Sequence, residues 1–360
     1  MDTLSDEFKQ RLKKYYAGEL SDQEAAKVER EIQQAEAYQD VMNETFEHDE
    51  LPPGKVGEIL KRSSRRARLT VIGYVVMILL MIYPVLMIGS YVYYGFIERA
   101  NNLIDVSYST VYITEPNASV DEFNIEYELG LFTFDVYMDL YKQVGNATIK
   151  QGEWVVPFRY NQPDFPERNY TIDQPPEEIP QPDQRLLYHP DAGLSNSQNG
   201  GWDTLENLPE GTVAEVYVSL ERTVPVDELN RVINDIDAKW LWYAIDTGLD
   251  AEASGEDTGY LPPIGYPAQT GNNWSPYNFQ APNDEQFMES LKFLAEYEEQ
   301  ATMIARAKWL ELDERIAFLE ENGLNAYGGV VTGPAKELLK LRDNDDVRAI
   351  RTGEVRLWNW

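Results

Sequence analysis

Residues able to do chemistry are few in this chain of 360. There is no cysteine, and His48 and His189 are the only histidines. Without thiols there is no disulfide framework, no cysteine-ligated zinc or iron–sulfur site and no thiol nucleophile. Two imidazoles exclude a His-rich metal site and leave little for Ser-His-Asp catalysis. His189 sits in Tyr188-His189-Pro190 with no evident nucleophile beside it. Carboxylates abound, 62 against 31 Lys and Arg, for a formal charge of −31. No spacing among them marks a glycosidase pair, and Glu298-Glu299 read as a solvated helix face. Asp343-Asn344-Asp345-Asp346 suggests calcium, yet it lacks the Gly and distal Glu of an EF-hand loop and reads as a turn. A chain this acidic is not expected to bind nucleic acid directly. No catalytic residue, cofactor or metal ligand is expected.

The elements around these residues are divided by one long apolar segment. Residues 69–97 contain no charge over 29 positions, more than the roughly 20 that span a bilayer. Tyr91, Tyr93 and Tyr94 cluster at one end, where amphipathic rings favour the headgroup level. The 68 polar residues before it argue against a cleaved signal peptide. Lys61, Arg62, Arg65, Arg66 and Arg68 form a basic collar on the N-terminal flank, while Arg99 is the only basic residue on the other side before Lys142. The positive-inside rule then places residues 1–68 in the cytoplasm and 98–360 outside. The collar fits contact with anionic headgroups. Residues 1–68 hold 12 basic and 15 acidic side chains, net −3; residues 69–360 hold 19 and 47, net −28.

The N-terminal 68 residues read as short helices. Ser5 can cap the first, with Phe8, Leu12, Tyr15 and Tyr16 on one face and Gly18 at its end. Ser21-Asp22-Gln23-Glu24 matches a capping box, and Leu20 can staple onto Ala25. A helix of about 22 residues follows, with a narrow stripe of Ala25, Val28, Ile32, Ala35, Tyr38 or Gln39, and Met42. A third amphipathic piece carries Val56, Ile59 and Leu60. These stripes can pack on one another or be completed by a partner, and the spacing does not choose.

The run from Tyr15 to Glu29, with its Tyr-x-x-Gly-Glu-Leu-Ser-x-x-Glu core, resembles the head of bacterial membrane-bound anti-sigma factors. In many of those the helix carries a zinc motif, His-x3-Cys-x2-Cys. The corresponding positions here are Glu31, Ala35 and Tyr38, so the head resembles the zinc-less branch. Over its whole length the chain resembles the sigma factor regulators of Bacillus-type bacteria. Tyr327-Gly328-Gly329-Val330-Val331-Thr332-Gly333-Pro334, with the following Ala335 to Leu341, looks like the best-marked motif of their C-terminal domain. The resemblance implies an anti-sigma factor that sequesters an extracytoplasmic-function sigma factor. It implies contacts through Phe8, Leu12, Tyr15, Tyr16, Val28, Ile32, Tyr38, Met42, Val56, Ile59 and Leu60. A second small membrane protein is a possible further partner.

The outer part is expected to be α+β with a mainly antiparallel sheet. Strands are read over residues 107–114, 122–128, 131–140, 154–160, 211–220, 239–245, 324–331 and 347–358. Helices are read from Pro225 through Ile236 and over 283–295, 298–322 and 334–341, the last with Pro334 at its first turn. Residues 157–209 and 262–282 hold nine and five of the twenty prolines and read as long loops. Sequons at Asn117, Asn146, Asn169 and Asn273 recur by chance. Trp202, Tyr260, Tyr266, Trp274 and Tyr277 either form a platform for wall glycan or peptide, or seal sheet edges and loops. The platform would suit an alternative function, an anchored wall-binding or wall-modifying protein. Gly73, Gly89 and Ser90 would let another membrane helix approach closely.

Overall fold

The computed structural model describes residues 3–47, 53–121, 126–172, 185–192, 200–253, 260–268, 281–357 and 360; side chains of residues 3–9, 45–47, 53–59 and 97 are outside that set. His48, Asn273, Trp274, Tyr277 and the beginning of the strand expected over 122–128 therefore lie outside the described residues. The chain divides into two units, Met1–Ile82 and Tyr83–Trp360.

The first unit is helical. Helix α1 spans Thr3–Tyr16, so Ser5 lies inside it rather than at its cap. Gly18, at φ 70°, ends the turn. Helix α2 spans Asp22–Glu47, four residues longer than expected. Its capping box forms in one sense only. Glu24 accepts from the Ser21 N–H (3.2 Å), and the Ser21 hydroxyl also donates to Glu24 (2.6 Å). Helix α3 runs over Pro53–Gly95 with Pro84 inside it. It contains one stretch long and apolar enough to cross a membrane, Leu60–Gly95.

The second unit begins on the end of α3. A single 3-10 turn, Phe96–Glu98, with Glu98 in the left-handed region at φ 51°, leads into α4, Arg99–Thr114. The strand expected over 107–114 is thus a helix. Its β-branched residues favour strands, but α4 is buried over most of its surface from Leu103 to Thr114, with Asp105 exposed and Ser109 half-buried. Its hydroxyls are absorbed locally: Ser107, Thr110 and Thr114 donate to carbonyls one turn back at 2.7–2.8 Å. A helix buried on nearly every side leaves too narrow a polar face for periodicity to reveal.

Two antiparallel sheets share a core with α4. The first has β1 (Ala118–Val120), β2 (Glu126–Leu129), β3 (Thr133–Val144), β4 (Ala147–Arg159), β5 (Gln162–Pro163) and β6 (Glu167–Tyr170). Strands β3 and β4 form its central hairpin; β1 and β2 pair with β3, β5 and β6 with β4. The segment expected as a loop from residue 157 therefore contains β5 and β6, and also helix α5, Gly200–Glu206.

The second sheet has the order β11-β7-β10-β8-β9. It is built from β7 (Thr212–Pro225), β8 (Lys239–Ile245), β9 (Gly265–Pro267), β10 (Asn325–Pro334) and β11 (Val347–Leu357). The helix expected after Pro225 is a 3-10 segment, Val226–Ile233, burying Leu229, Val232 and Ile233. The short helix α6 (Asp250–Ala253) precedes α7 (Asn283–Ala295). The long helix expected over 298–322 is broken into α8 (Glu298–Ile304) and α9 (Leu312–Asn322). Arg306 and Glu311 adopt positive φ in the break. There Glu298 accepts the N–H groups of Glu311 (2.6 Å) and Leu312 (3.3 Å), capping α9 rather than facing solvent idly. Pro334 is the N-cap of α10 (Ala335–Leu338), which passes into a 3-10 turn, Leu339–Asp343.

Strand β10 explains its glycines. A Cβ on Gly328 would sit 2.3 Å from the Val218 carbonyl, and one on Gly329 2.3 Å from that of Trp242. The strands on either side approach too closely for any side chain there.

Candidate interaction surfaces

In the first unit, α1 and α2 pack through part of the expected contact set. Val28 is buried, and Leu12, Tyr15 and Ile32 are half-buried. Arg11 and Glu31 form an ion pair across the helices (3.6 Å). Glu31, the first zinc-like position, is thereby engaged with a neighbouring cation. Tyr16, Tyr38, Met42 and Leu60 remain exposed. The side chains of Phe8, Val56 and Ile59 lie outside the described residues. The structure adds Val41, 62 % exposed, between Tyr38 and Met42. Three residues after Tyr38, it lies on the same helix face, beside the stripe expected through Tyr38 or Gln39 and Met42.

Lys61, Arg62, Arg65, Arg66 and Arg68 are all exposed on α3. Beyond them the helix is bare through Leu86. Gly73 has open space around it, but Gly89 is occupied from within the unit: Phe132 lies 3.3 Å from where its Cβ would be. Ser90 is fully buried and accepts the Phe132 N–H (2.7 Å). These two small residues therefore receive a β-turn of their own unit, not a second membrane helix.

The second unit buries several ionic groups. Lys142 on β3 donates to Glu215 on β7 at 2.8 Å, joining the two sheets. Glu215 also accepts from Asn117 (2.6 Å), the Tyr217 hydroxyl (3.2 Å) and the Glu354 N–H (3.0 Å). The sequon amide of Asn117 is thus committed to this network. Burial pushes the Lys142 pKa down, but the Glu215 carboxylate outweighs it and leaves the ammonium above its usual range. Burial raises the carboxyl of Glu115, which Arg168 (3.3 Å) opposes. Asp250 accepts the Thr247 N–H and hydroxyl, each at 2.6 Å, and faces buried Arg315, which itself bonds the Thr247 hydroxyl.

His189 is buried. Its ring faces Asp246 (3.6 Å) and Asp191 (3.7 Å) and packs edge-on to Tyr327 (5.4 Å). Burial raises the Asp246 pKa, but the nearby His189 ring and the Gly248 N–H, which donates to it at 3.0 Å, outweigh burial and lower the carboxyl overall. Arg348 donates to the carbonyls of His189, Pro190 and Ala192. These contacts fix the 185–192 segment against β10 and β11; they place no nucleophile on the imidazole. No cluster of three or more metal-binding side chains occurs among the described residues. Asp343 to Asp346 form a turn: Asn344 accepts the Asp346 N–H (2.9 Å), and Asp346 pairs with Arg222 (2.9 Å). The aromatic platform does not form among its described members. Tyr266 is buried and stacked on Phe287, Trp202 packs against the core, and Tyr260 is half-buried.

Comparison with known proteins identifies two family domains, "Sigma factor regulator N-terminal" over residues 58–149 and "Sigma factor regulator C-terminal" over residues 205–354. The chain is 33 % identical over 366 residues to the probable anti-sigma-M factor YhdL of Bacillus subtilis (strain 168), covering 99 % of this chain and 100 % of that protein. No solved structure matches.

Proposed function

Because the chain belongs to the sigma factor regulator family of anti-sigma factors, we propose that it holds an extracytoplasmic-function sigma factor at the membrane through its N-terminal helices. Residues 1–68 form the cytoplasmic head, 69–97 the span and 98–360 the outer regulatory domain. The basic collar supports this orientation, since Lys and Arg favour the cytoplasmic flank. The mechanism is steric. The head covers sigma surfaces needed by RNA polymerase, and the anchor keeps the captive factor away from the nucleoid. The relative's name makes a sigma-M-type factor the first partner to try.

The observation that carries this reading is the exposed apolar face of α2, with Tyr38 at 70 %, Val41 at 62 % and Met42 at 43 % exposure. A soluble helix gains nothing from such a face unless a partner covers it. The outer domain then adjusts the head's hold according to envelope state. For that coupling the span must move, be cut or change its contacts, with or without a second membrane protein.

The test is sigma capture by the full chain carrying Tyr38→Glu with Met42→Glu. Two buried carboxylates at an apolar interface are expected to weaken capture by about tenfold or more. Undiminished capture with α2 intact by circular dichroism would contradict the assignment of this face.

A further inference from the structure

Where helix α3 leaves the bilayer, the second unit meets it through two turns whose chemistry suits lipid. We propose that the β2–β3 and β4–β5 turns rest in the headgroup layer of the outer leaflet, so that this unit lies on the lipid surface instead of hanging from a free tether. The proposal rests on the membrane reading above.

Helix length is the first argument. Helix rises about 1.5 Å per residue, so roughly 20 residues cross ~30 Å of hydrocarbon. Counted from Leu69, that length ends near Ile88. Every residue from 69 to 86 is exposed; Met87 and Gly89 are half-buried, and Ser90 is buried. The helix passes from bare to packed where the hydrocarbon should end.

What packs there is held by specific bonds. The Phe132 ring lies over Gly89, and its N–H donates to Ser90 (2.7 Å). The Tyr94 hydroxyl donates to the carbonyls of Phe132 (3.0 Å) and Tyr160 (3.1 Å). Tyr93 bonds Asn161 (3.0 Å). Phe132 and Tyr160 stack on each other at 5.2 Å. Residues 130–132 and 160–161 are therefore fixed at the level of Gly89 to Tyr94.

Composition agrees. Residues 129–134 and 160–163 carry no charge, within a portion of net charge −28. Leu131, Tyr160, Phe96 and Tyr91 expose 39 %, 47 %, 66 % and 61 % of their surface beside these bonds. Aromatic rings with polar tips belong at the headgroup level. The turn backbones are ready for partial dehydration: the N–H groups of Gly130, Phe132 and Tyr160 bond Thr133, Ser90 and Phe132. Phe132 and Tyr160 also adopt φ of 56° and 57°, where turns favour Gly or Asn. Bulky rings kept at strained turn positions point to a role for the rings.

The cysteine-free chain makes the test direct. Single cysteines Leu131→Cys and Tyr160→Cys, each in the full chain, carry an environment-sensitive fluorophore. Ile78→Cys reports the middle of the span. Asn146→Cys lies at the opposite end of the β3–β4 hairpin, about 40 Å along the strands. The proteins are reconstituted in phosphatidylethanolamine–phosphatidylglycerol vesicles bearing nitroxide on the headgroup or mid-chain. Probes at 131 and 160 are expected to lose roughly half their emission to the headgroup nitroxide. The probe at 146 is expected to lose none, and the probe at 78 to respond to the mid-chain label. Quenching at 78 with 131 and 160 as silent as 146 overturns the proposal alone. Silence at 78 as well overturns the membrane reading beneath it.

Discussion

Lys142 and Glu215 stand 73 positions apart and meet between two sheets, with side chains 6 % and 0 % exposed. Removing one member of a buried pair strands the other charge, at a cost of about 3–5 kcal/mol, whereas replacing both with apolar groups is far milder. Lys142→Met is therefore expected to lower stability by about 3–5 kcal/mol in chemical denaturation. Adding Glu215→Leu is expected to recover little of it here, because Asn117, Tyr217 and the Glu354 N–H then lose their acceptor. Asp246 makes a pH prediction. A carboxyl whose pKa is lowered on folding stabilises above its unfolded value and loses that contribution as pH falls through the folded one. Asp246→Asn should thus be less stable than the parent at neutral pH, with the gap closing below the ordinary value of 3.8. Nothing in the sequence joins Lys142 to Glu215 or His189 to Asp246. Such pairs are made by topology, and their residue types look the same when solvated.

At the scale of elements, legibility followed periodicity. The capping box before α2, the strands β7, β10 and β11, and Gly323 as the stop of α9 were readable because local chemistry and tertiary packing agree there. Helix α4 was not readable, since its β-branched residues are buried on nearly every side and only Asp105 and Ser109 mark a polar face. The break between α8 and α9 was equally hidden, because its cap comes from Glu298, thirteen residues before Glu311. The glycines of β10 were visible as a motif, but their reason needed the neighbouring strands. Gly329→Ala is expected to cost about 1–3 kcal/mol of stability through overpacking, read as a lower melting temperature, because its Cβ would meet the Trp242 carbonyl at 2.3 Å. A melting curve unchanged from the parent would contradict that close approach.

For the whole molecule, charge and anchoring divide the labour. The part from residue 69 onward holds net −28, against −3 before it. Self-repulsion at that density opposes compactness, and salt screens it. All eight tryptophans lie at or beyond Trp154, so their fluorescence reports the second unit within the intact chain. Its melting temperature in detergent is expected to rise from tens of millimolar to molar NaCl; a flat or falling value would contradict the repulsion argument. The apolar run and the basic collar could be read from the sequence alone, because a bilayer imposes length and charge rules on a single segment. The contact of Phe132 with Gly89 could not, because it joins turn and helix across 43 positions.

The central claim is that the head retains a sigma factor at the membrane. Its most direct measurement is affinity purification of the tagged full chain from solubilised membranes, with bound sigma factors quantified by mass spectrometry. The account predicts one extracytoplasmic-function sigma factor in near-stoichiometric yield, lost when residues 1–47 are deleted. Purification with no sigma factor enriched over a tagged membrane control, or retention undiminished by that deletion, would contradict it.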